Sequence, residues 1–367
     1  MVAPLIEKRL PLRALASGPA APDRILHHGL WFKGHNSPRY AELLPRLDRL
    51  DPVLIVIPDW RPLRAAEFWT LYLLGAVRHR LALGLASQRY RYLLTADNRQ
   101  IRFFRGAVVA DVDDPRFEAW EIDALNRPNV AAYVVTAERA GRRFEELGVR
   151  TPWHVIPQGV VLDALTEHAR REVASRHRRN GDFVVGYMAA YLRSRDDPGG
   201  HSPLYNVDHL LELWPAISER VPSARLWLLG EPSARVRARV AGRDDVLLFG
   251  RVAKGDVLPH VANFDVALYP RTRDQGIRAA KTAEYLGAGA PVVSYDYEVT
   301  QDVKEAGAGI LVSSPAEFVD AVASLARDPA KRAELAAAAR AAGARLDWDV
   351  LARRYREEIL DRYLPPA

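Results

Sequence analysis

The sequence predicts an α/β protein built from two doubly wound parallel sheets, one in each of two domains. Three observations carry that prediction. Short apolar, β-rich runs recur along all 367 residues. Longer amphipathic stretches separate them, the alternation that parallel sheets with crossover helices require. The series also runs twice, interrupted once by a polar, basic, strand-poor segment after Ile156. A hydrophobic content of 49% over this length suits two domains better than one.

Taken in order, the first series places strands at ILHH (25–28), VLIVI (53–57), YLLT (92–95), AVVADV (107–112), AAYVVT (131–136) and WHVI (153–156). Helical patterns lie between them at 61–87 and 137–147. The second series has FVVGYM (183–188), RLWLLG (225–230), VLLFG (246–250), VALYP (266–270), PVVSY (291–295) and GILV (309–312). Its helices fit at 207–219, 255–263, 277–286 and 315–326. The boundaries follow: an N-terminal domain over 1–165, a charged linker over 166–182 and a C-terminal domain over 183–345. A helical tail over 346–367, capped by Asp347 and stopped by Pro365, is expected to pack back toward the first domain.

Composition excludes several functions. Without cysteine there is no disulfide framework, thiolate metal site or cysteine nucleophile. The N-terminal stretch is interrupted by Lys8, Arg9 and Arg13 and does not read as a signal peptide. No run approaches the roughly 18 apolar residues of a membrane span, so a cytoplasmic protein is expected. A formal charge of +6 is a mild statement, compatible with an anionic substrate. No nucleic-acid-binding signature is present, and nucleic acid is not an expected partner. The 67–87 stretch carries Phe68, Trp69, Leu71, Leu74, Leu81 and Leu85 beside Arg78 and Arg80, and 170–179 is arginine-rich. Core packing and a solvated linker are the plain readings; weak association with the inner membrane surface is the other one.

The stretch DQGIRAAKTAEYLGAGAPVVSYD (274–296) is the most informative. It reads as a loop, a helix with small residues on its packing faces, a glycine turn and a buried strand. The strand FDVALYP delivers the loop, and ligands of open α/β sheets sit beyond the carboxyl ends of strands. A helix start near Gly276 and Ile277 is an anion site. Arg271, Arg273, Arg278 and Lys281 cluster around it, with Glu284 one turn beyond Lys281.

From about Val184 onward the chain resembles the retaining nucleotide-sugar glycosyltransferases of the GT-B fold, glycosyltransferase family 4 type. The resemblance runs through GYMAAY (186–191), YNVDHLLELWPAISERVPSARLWLLGEP (205–232), VLLFGRV (246–252), FDVALYP (264–270), KTAEYLGAGAPVVS (281–294) and AGAGILV (306–312), ending with the Trp348 helix. It is weaker before that, through WFKGHNSPRYAEL (31–43), VVTAERAGRRFEELGV (134–149) and VIPQGV (155–160). The resemblance implies two Rossmann-like domains facing a central cleft.

It also implies roles. Glu284 matches the glutamate that hydrogen-bonds the donor's ribose. Gly276 stands where many members carry a second glutamate on the donor sugar, a departure for which Asp274 is a stand-in. Arg193 or Arg195 supplies one of the paired cations on the diphosphate. The lysine often found at the start of the next helix is Tyr205 here, so Lys281 or Arg278 supplies the other. Arg251 and Val252 lie where members contact the base, and Gly276 and Ile277 where they contact the donor. Gly34 approaches the diphosphate from the N-terminal domain, with Asn36 or Ser37 capping the adjacent helix. The acceptor is expected near His35, Asn36, Asp59, Trp60, Asp113 and Asp114. His35, Asp113 and Lys281 are the expected catalytic groups, with His27 and His28 competing with His35.

The run GAVVADVDDP (106–115) holds Asp111, Asp113 and Asp114, which could suggest a metal–diphosphate site. That reading belongs to the GT-A architecture, which lacks a second domain like residues 183–345. The resemblance makes Asp113 and Asp114 sugar contacts. No metal or cofactor is expected, and the nucleotide diphosphate sugar is a co-substrate. The implied reaction is transfer of a hexose-type sugar from UDP or GDP to an acceptor hydroxyl, with retention. An inverting transferase, a sugar-nucleotide epimerase and a non-catalytic scaffold are the alternatives on the same fold.

Overall fold

A computed structural model of the chain describes residues 20–32, 38–57, 77, 80–81, 83–96, 98–197, 207–271, 279–297 and 300–366. The chain divides into two compact units, Met1–Pro157 with Trp348–Ala367, and Gln158–Asp347. Each is a doubly wound α/β unit around one six-stranded sheet.

The first sheet comprises β1 (Ile25–Phe32), β2 (Leu50–Ile57), β3 (Tyr92–Thr95), β4 (Ala107–Val112), β5 (Val130–Val135) and β6 (Trp153–Val155). Their order is β2-β1-β3-β4-β5-β6, and every pairing is parallel. The second comprises β7 (Phe183–Leu192), β8 (Ala224–Pro232), β9 (Val246–Gly250), β10 (Val266–Tyr269), β11 (Val292–Tyr295) and β12 (Gly309–Val312). Its order is β12-β11-β10-β7-β8-β9, again all parallel. All the strands expected from the sequence are present. Chain direction across the sheet reverses between β1 and β3, and between β7 and β10. At such reversals parallel sheets open a crevice beyond their strand ends.

Burial on both faces explains the continuous apolar runs. In β8, Leu226 and Leu228 join a core with Trp214, Ile217, Phe318 and Val322. Their neighbours Trp227 and Leu229 join the opposite core with Phe264, Tyr285 and Leu286. Helix Ala280–Gly287 packs on helix Pro329–Arg345 through two glycines, so close that a Cβ on Gly343 would sit 2.5 Å from the Gly287 Cα. Gly289, at φ 72°, then turns the chain into β11.

The segment 166–182, expected as a linker, is largely a helix of the second unit, Glu167–His177. Thr166 caps it by accepting from the Ala169 amide at 3.1 Å. Its arginines turn to glutamates on the same helix: Arg170 and Arg171 to Glu167, and Arg176 to Glu172. The tail begins as helix Trp348–Tyr355 within the first unit. Arg46 Nε donates to Asp349 at 2.6 Å, Arg49 donates to the Leu364 carbonyl at 3.1 Å, and His154 meets the Tyr363 hydroxyl at 2.9 Å. Asp347, expected as its cap, directly precedes that helix and accepts from the Leu162 amide at 3.2 Å. Within the 67–87 stretch, Leu83 and Ala86 are buried while Leu81 is 59% exposed; most of that stretch lies outside the described residues. No helix among the described residues is long and apolar enough to cross a membrane.

Candidate functional site

The second unit's site is built where β7 and β10 lie side by side. Tyr187 comes from β7, Tyr269 ends β10, and Arg271 follows two residues later. Helix Ala280–Gly287 brings Lys281 and Glu284 to the same place. Its anchor is Tyr285, fully buried, whose hydroxyl donates to the Leu268 carbonyl at 3.2 Å and accepts from the Met188 amide at 3.1 Å. One side chain thus ties the helix to both strands of the reversal. The helix begins at Ala280, because Ala279 is still extended at φ −91° and ψ 132°. Gly276 and Ile277, where its start was expected, lie outside the described residues.

Lys281 is half-buried among aromatic rings. Its Nζ donates to the Tyr187 hydroxyl at 3.1 Å and lies 4.6 Å and 5.3 Å from the centroids of Tyr187 and Tyr269. Burial, reinforced by the Arg271 charge and opposed by Glu284, lowers its pKa to about 7. Burial raises Glu284 to about 7 against the pull of Lys254 and Lys281. Burial thus moves the two groups toward neutrality from opposite sides. Arg271 is only 5% exposed. Its Cζ lies 5.2 Å from the Tyr269 ring centroid, and neither Nη1 nor Nη2 has a hydrogen-bond partner among the described residues.

Two other expected cations differ from each other. The Arg195 amide donates to Asp208 at 2.7 Å, and its side chain pairs with Asp208 at 3.4 Å and Glu212 at 3.5 Å. Arg193 instead lies over the Tyr191 ring at 5.2 Å. Asp208 also accepts from Ser194 Oγ at 3.2 Å and Arg239 Nη1 at 2.9 Å, so this buried carboxylate organises the segment carrying both arginines. Arg251 is exposed at the end of β9, and Val252 packs against the core beneath it.

In the first unit the three aspartates at the end of β4 and just beyond it separate into distinct roles. Asp111 is buried and receives Arg39 through Nε at 3.0 Å and Nη2 at 3.0 Å, and the Tyr40 hydroxyl at 3.0 Å. Arg39 Nη1 donates to the carbonyls of Ile156 and Pro157 at 3.0 Å and 2.9 Å. Asp111 is thereby a scaffold residue. Asp114 is exposed and pairs with Arg116 at 2.8 Å. Asp113 is half-exposed between them. Buried Glu121 fixes the loop that follows, accepting from the amides of Arg116 at 2.8 Å and Phe117 at 2.9 Å, with Phe117 in the left-handed region at φ 57°. His27, a competing histidine, is fully buried in the core, and burial lowers its pKa to about 4. Gly34, His35, Asn36, Asp59, Trp60, Asp274, Gly276, Ile277 and Arg278 lie outside the described residues, and so do His28's side chain, Ser37, Tyr205 and Arg273.

Sequence reasoning did not single out Arg39, Tyr40, Asp208, Glu121 or Tyr285. Tyr285 carried a usable signal, since a tyrosine directly after Glu284 on a helix crossing two strand ends is placed to bond both. The others act through partners remote in sequence; Arg39 and Asp111 are 72 residues apart.

Residues 199–328 match the family model described as "Glycosyl transferases group 1". No curated protein matches the chain. Among solved structures it is similar to Anabaena HepE in complex with UDP and glucose, at 15% identity and a TM-score of 0.68, over 92% of this chain and 99% of that one. It is similar to WaaG, described as a glycosyltransferase involved in lipopolysaccharide biosynthesis, at 13% identity and a TM-score of 0.66, over 91% and 99%. Sucrose-phosphate synthase from Thermosynechococcus elongatus gives 14% identity and a TM-score of 0.65, over 90% and 97%. With the two six-stranded parallel sheets, these likenesses establish the GT-B fold, two Rossmann-like units in one chain.

Proposed function

We propose that the protein is a nucleotide-sugar glycosyltransferase of the retaining kind. It moves a hexose-type sugar from UDP or GDP to an acceptor hydroxyl, without a metal ion. The observation that carries this reading is the Lys281–Glu284 pair at the β7–β10 reversal. Burial lowers the Lys281 cation and raises the Glu284 carboxyl toward neutrality, and the two stand on one helical turn beyond the strand ends. A diphosphate and the hydroxyls of a ribose satisfy the two together. The group 1 glycosyltransferase match over 199–328, which contains both residues, supports the same reading.

In this reading Glu284 accepts from the ribose hydroxyls, and Lys281 with Arg193 or Arg278 bonds the diphosphate. Arg251 and Val252 border the base. Gly276, Ile277 and Asp274 approach the donor sugar, and Gly34 the diphosphate. His35, Asn36, Asp59, Trp60, Asp113 and Asp114 recognise the acceptor. The bond from the sugar's anomeric carbon to the diphosphate oxygen breaks, with its electron pair leaving on the diphosphate. The acceptor oxygen bonds that carbon on the same face, and its proton passes to a diphosphate oxygen. Side-chain cations stabilise the departing charge, so the chemistry requires neither a protein base nor a metal.

A thermal-shift panel of UDP-, GDP-, ADP- and dTDP-sugars tests the donor, because a ligand that binds only the folded state raises its melting temperature. One base is expected to stand out, and activity is expected to survive EDTA. Analysis of the product's anomeric configuration then separates retention from inversion. Absence of a shift with every nucleotide sugar overturns the reading and leaves the scaffold alternative standing.

A further inference from the structure

We infer that Arg271 is a diphosphate-binding residue of this site and, with Lys281, carries the charge that develops on the leaving group. The inference rests on the donor reading above and picks out, from the arginines that the sequence placed around an anion site, the one whose surroundings suit a diphosphate.

Three observations converge on it. Arg271 stands two residues beyond β10, at the strand reversal where parallel sheets receive ligands. It is 5% exposed, yet Nη1 and Nη2 have no hydrogen-bond partner among the described residues. The Tyr269 ring beneath it offers a π face but no hydrogen-bond acceptor for those N–H groups, and the Tyr269 hydroxyl itself is buried and unpartnered. A guanidinium removed from water without acceptors is strongly unfavourable, so a fold that retains one leaves room for a ligand that brings them. Lastly, Arg271 sits close enough to Lys281 to depress its pKa, so two cations converge on one place. Among the described residues the Glu284 carboxylate acts on Lys281, and Lys254 acts on Glu284 in turn.

A diphosphate meets these requirements together. Its oxygens match the planar fork of a guanidinium, and its charge relieves the repulsion between the two cations. Arg195 is a poorer candidate, since its guanidinium already faces Asp208 and Glu212. During transfer Arg271 gives up no proton. As the anomeric C–O bond breaks and its electron pair stays on the diphosphate, the guanidinium's hydrogen bonds strengthen. It therefore favours the transition state over the bound donor.

The test compares wild type with Arg271→Gln and Arg271→Lys by calorimetry with UDP, GDP, UMP and GMP. For the base the wild type prefers, Arg271→Gln is expected to weaken the nucleoside diphosphate roughly tenfold or more. The monophosphate should bind nearly as before. With donor sugar, kcat should fall roughly a hundredfold while KM changes less, and Arg271→Lys should recover part of it. The melting temperature of Arg271→Gln should be unchanged or higher, because an unpaired buried charge has gone. Equal diphosphate affinity in wild type and Arg271→Gln overturns the inference and leaves the donor reading intact. A lowered melting temperature with mono- and diphosphate weakened alike makes Arg271 structural, and also overturns it. Failure of the wild type to bind either diphosphate removes the donor reading and the inference with it.

Discussion

Arg39 in the first unit and Arg271 in the second are buried to nearly the same degree, 0% and 5% exposed, and their surroundings are opposite. Arg39 meets a carboxylate through two nitrogens and two backbone carbonyls through a third. Arg271 meets an aromatic face, and its Nη1 and Nη2 have no partner among the described residues. The first arrangement is complete without any ligand and holds the chain in place. The second, in the proposed reading, is completed by the donor's diphosphate. Burial alone does not separate a scaffold charge from a binding charge; the state of its partners does.

The largest expected effect comes from breaking the complete arrangement. Asp111→Ala leaves the Arg39 charge buried and unpaired, and denaturant unfolding should show a loss of about 3–5 kcal/mol. Replacing both groups, as Arg39→Met with Asp111→Leu, should recover part of that loss. Unfolding of Asp111→Ala at the wild-type midpoint would make the two arginines alike after all. Next in size is Glu284→Gln, which removes the charged acceptor from the incomplete cluster. Calorimetry should record a loss of roughly 10- to 150-fold in affinity for the preferred nucleoside diphosphate, with little change in melting temperature.

Proton linkage gives a smaller effect with a definite sign. Lys281, lowered to about 7, is charged below neutrality and loses its proton as the pH rises. Glu284, raised to about 7, gains negative charge over the same window. Loss of the Lys281 charge weakens its hold on the diphosphate, whereas ionised Glu284 is the better acceptor for the ribose hydroxyls. Affinity for a UDP- or GDP-sugar should therefore peak near pH 7 and fall on the alkaline side as Lys281 deprotonates. A nucleotide sugar suits this measurement because its esterified diphosphate does not titrate there. Lys281→Arg, which stays charged, should flatten the alkaline side; an unaltered slope means that Lys281 does not titrate in that window. The smallest effect belongs to the exposed Asp114–Arg116 pair, where Asp114→Ala should change unfolding free energy by no more than about 0.5 kcal/mol.

The strands were legible because a strand buried on both faces is written as a short apolar run bounded by turn residues, as in RLWLLG and PVVSY. Helix Pro329–Arg345 was missed for the converse reason. Its buried residues are Leu335, Ala339, Ala342 and Gly343, mostly small, and they leave no wide apolar stripe to read. The charged segment 166–182 hid a helix that buries only Val173. At the site, Lys281 and Glu284 could be found because their spacing is local, one helical turn inside a recognisable motif. Whether a charge is satisfied depends on side chains far away in the sequence. Hence Asp111, read as one of three similar aspartates, proved to belong to Arg39, and Arg271 stood among several arginines with nothing local to distinguish it.

The first unit is discontinuous: Trp348–Ala367 belongs with residues that precede the whole of Gln158–Asp347. During translation the second unit emerges as one unbroken stretch and can close around its own core as soon as Asp347 clears the ribosome. The first unit has by then waited through the synthesis of all of it, still lacking the buried side chains of Trp348, Leu351, Tyr355 and Leu360. A nascent chain halted just before Trp348 would therefore carry a finished second unit and an unfinished first one, and a protease added at that moment should cut the earlier-made half first.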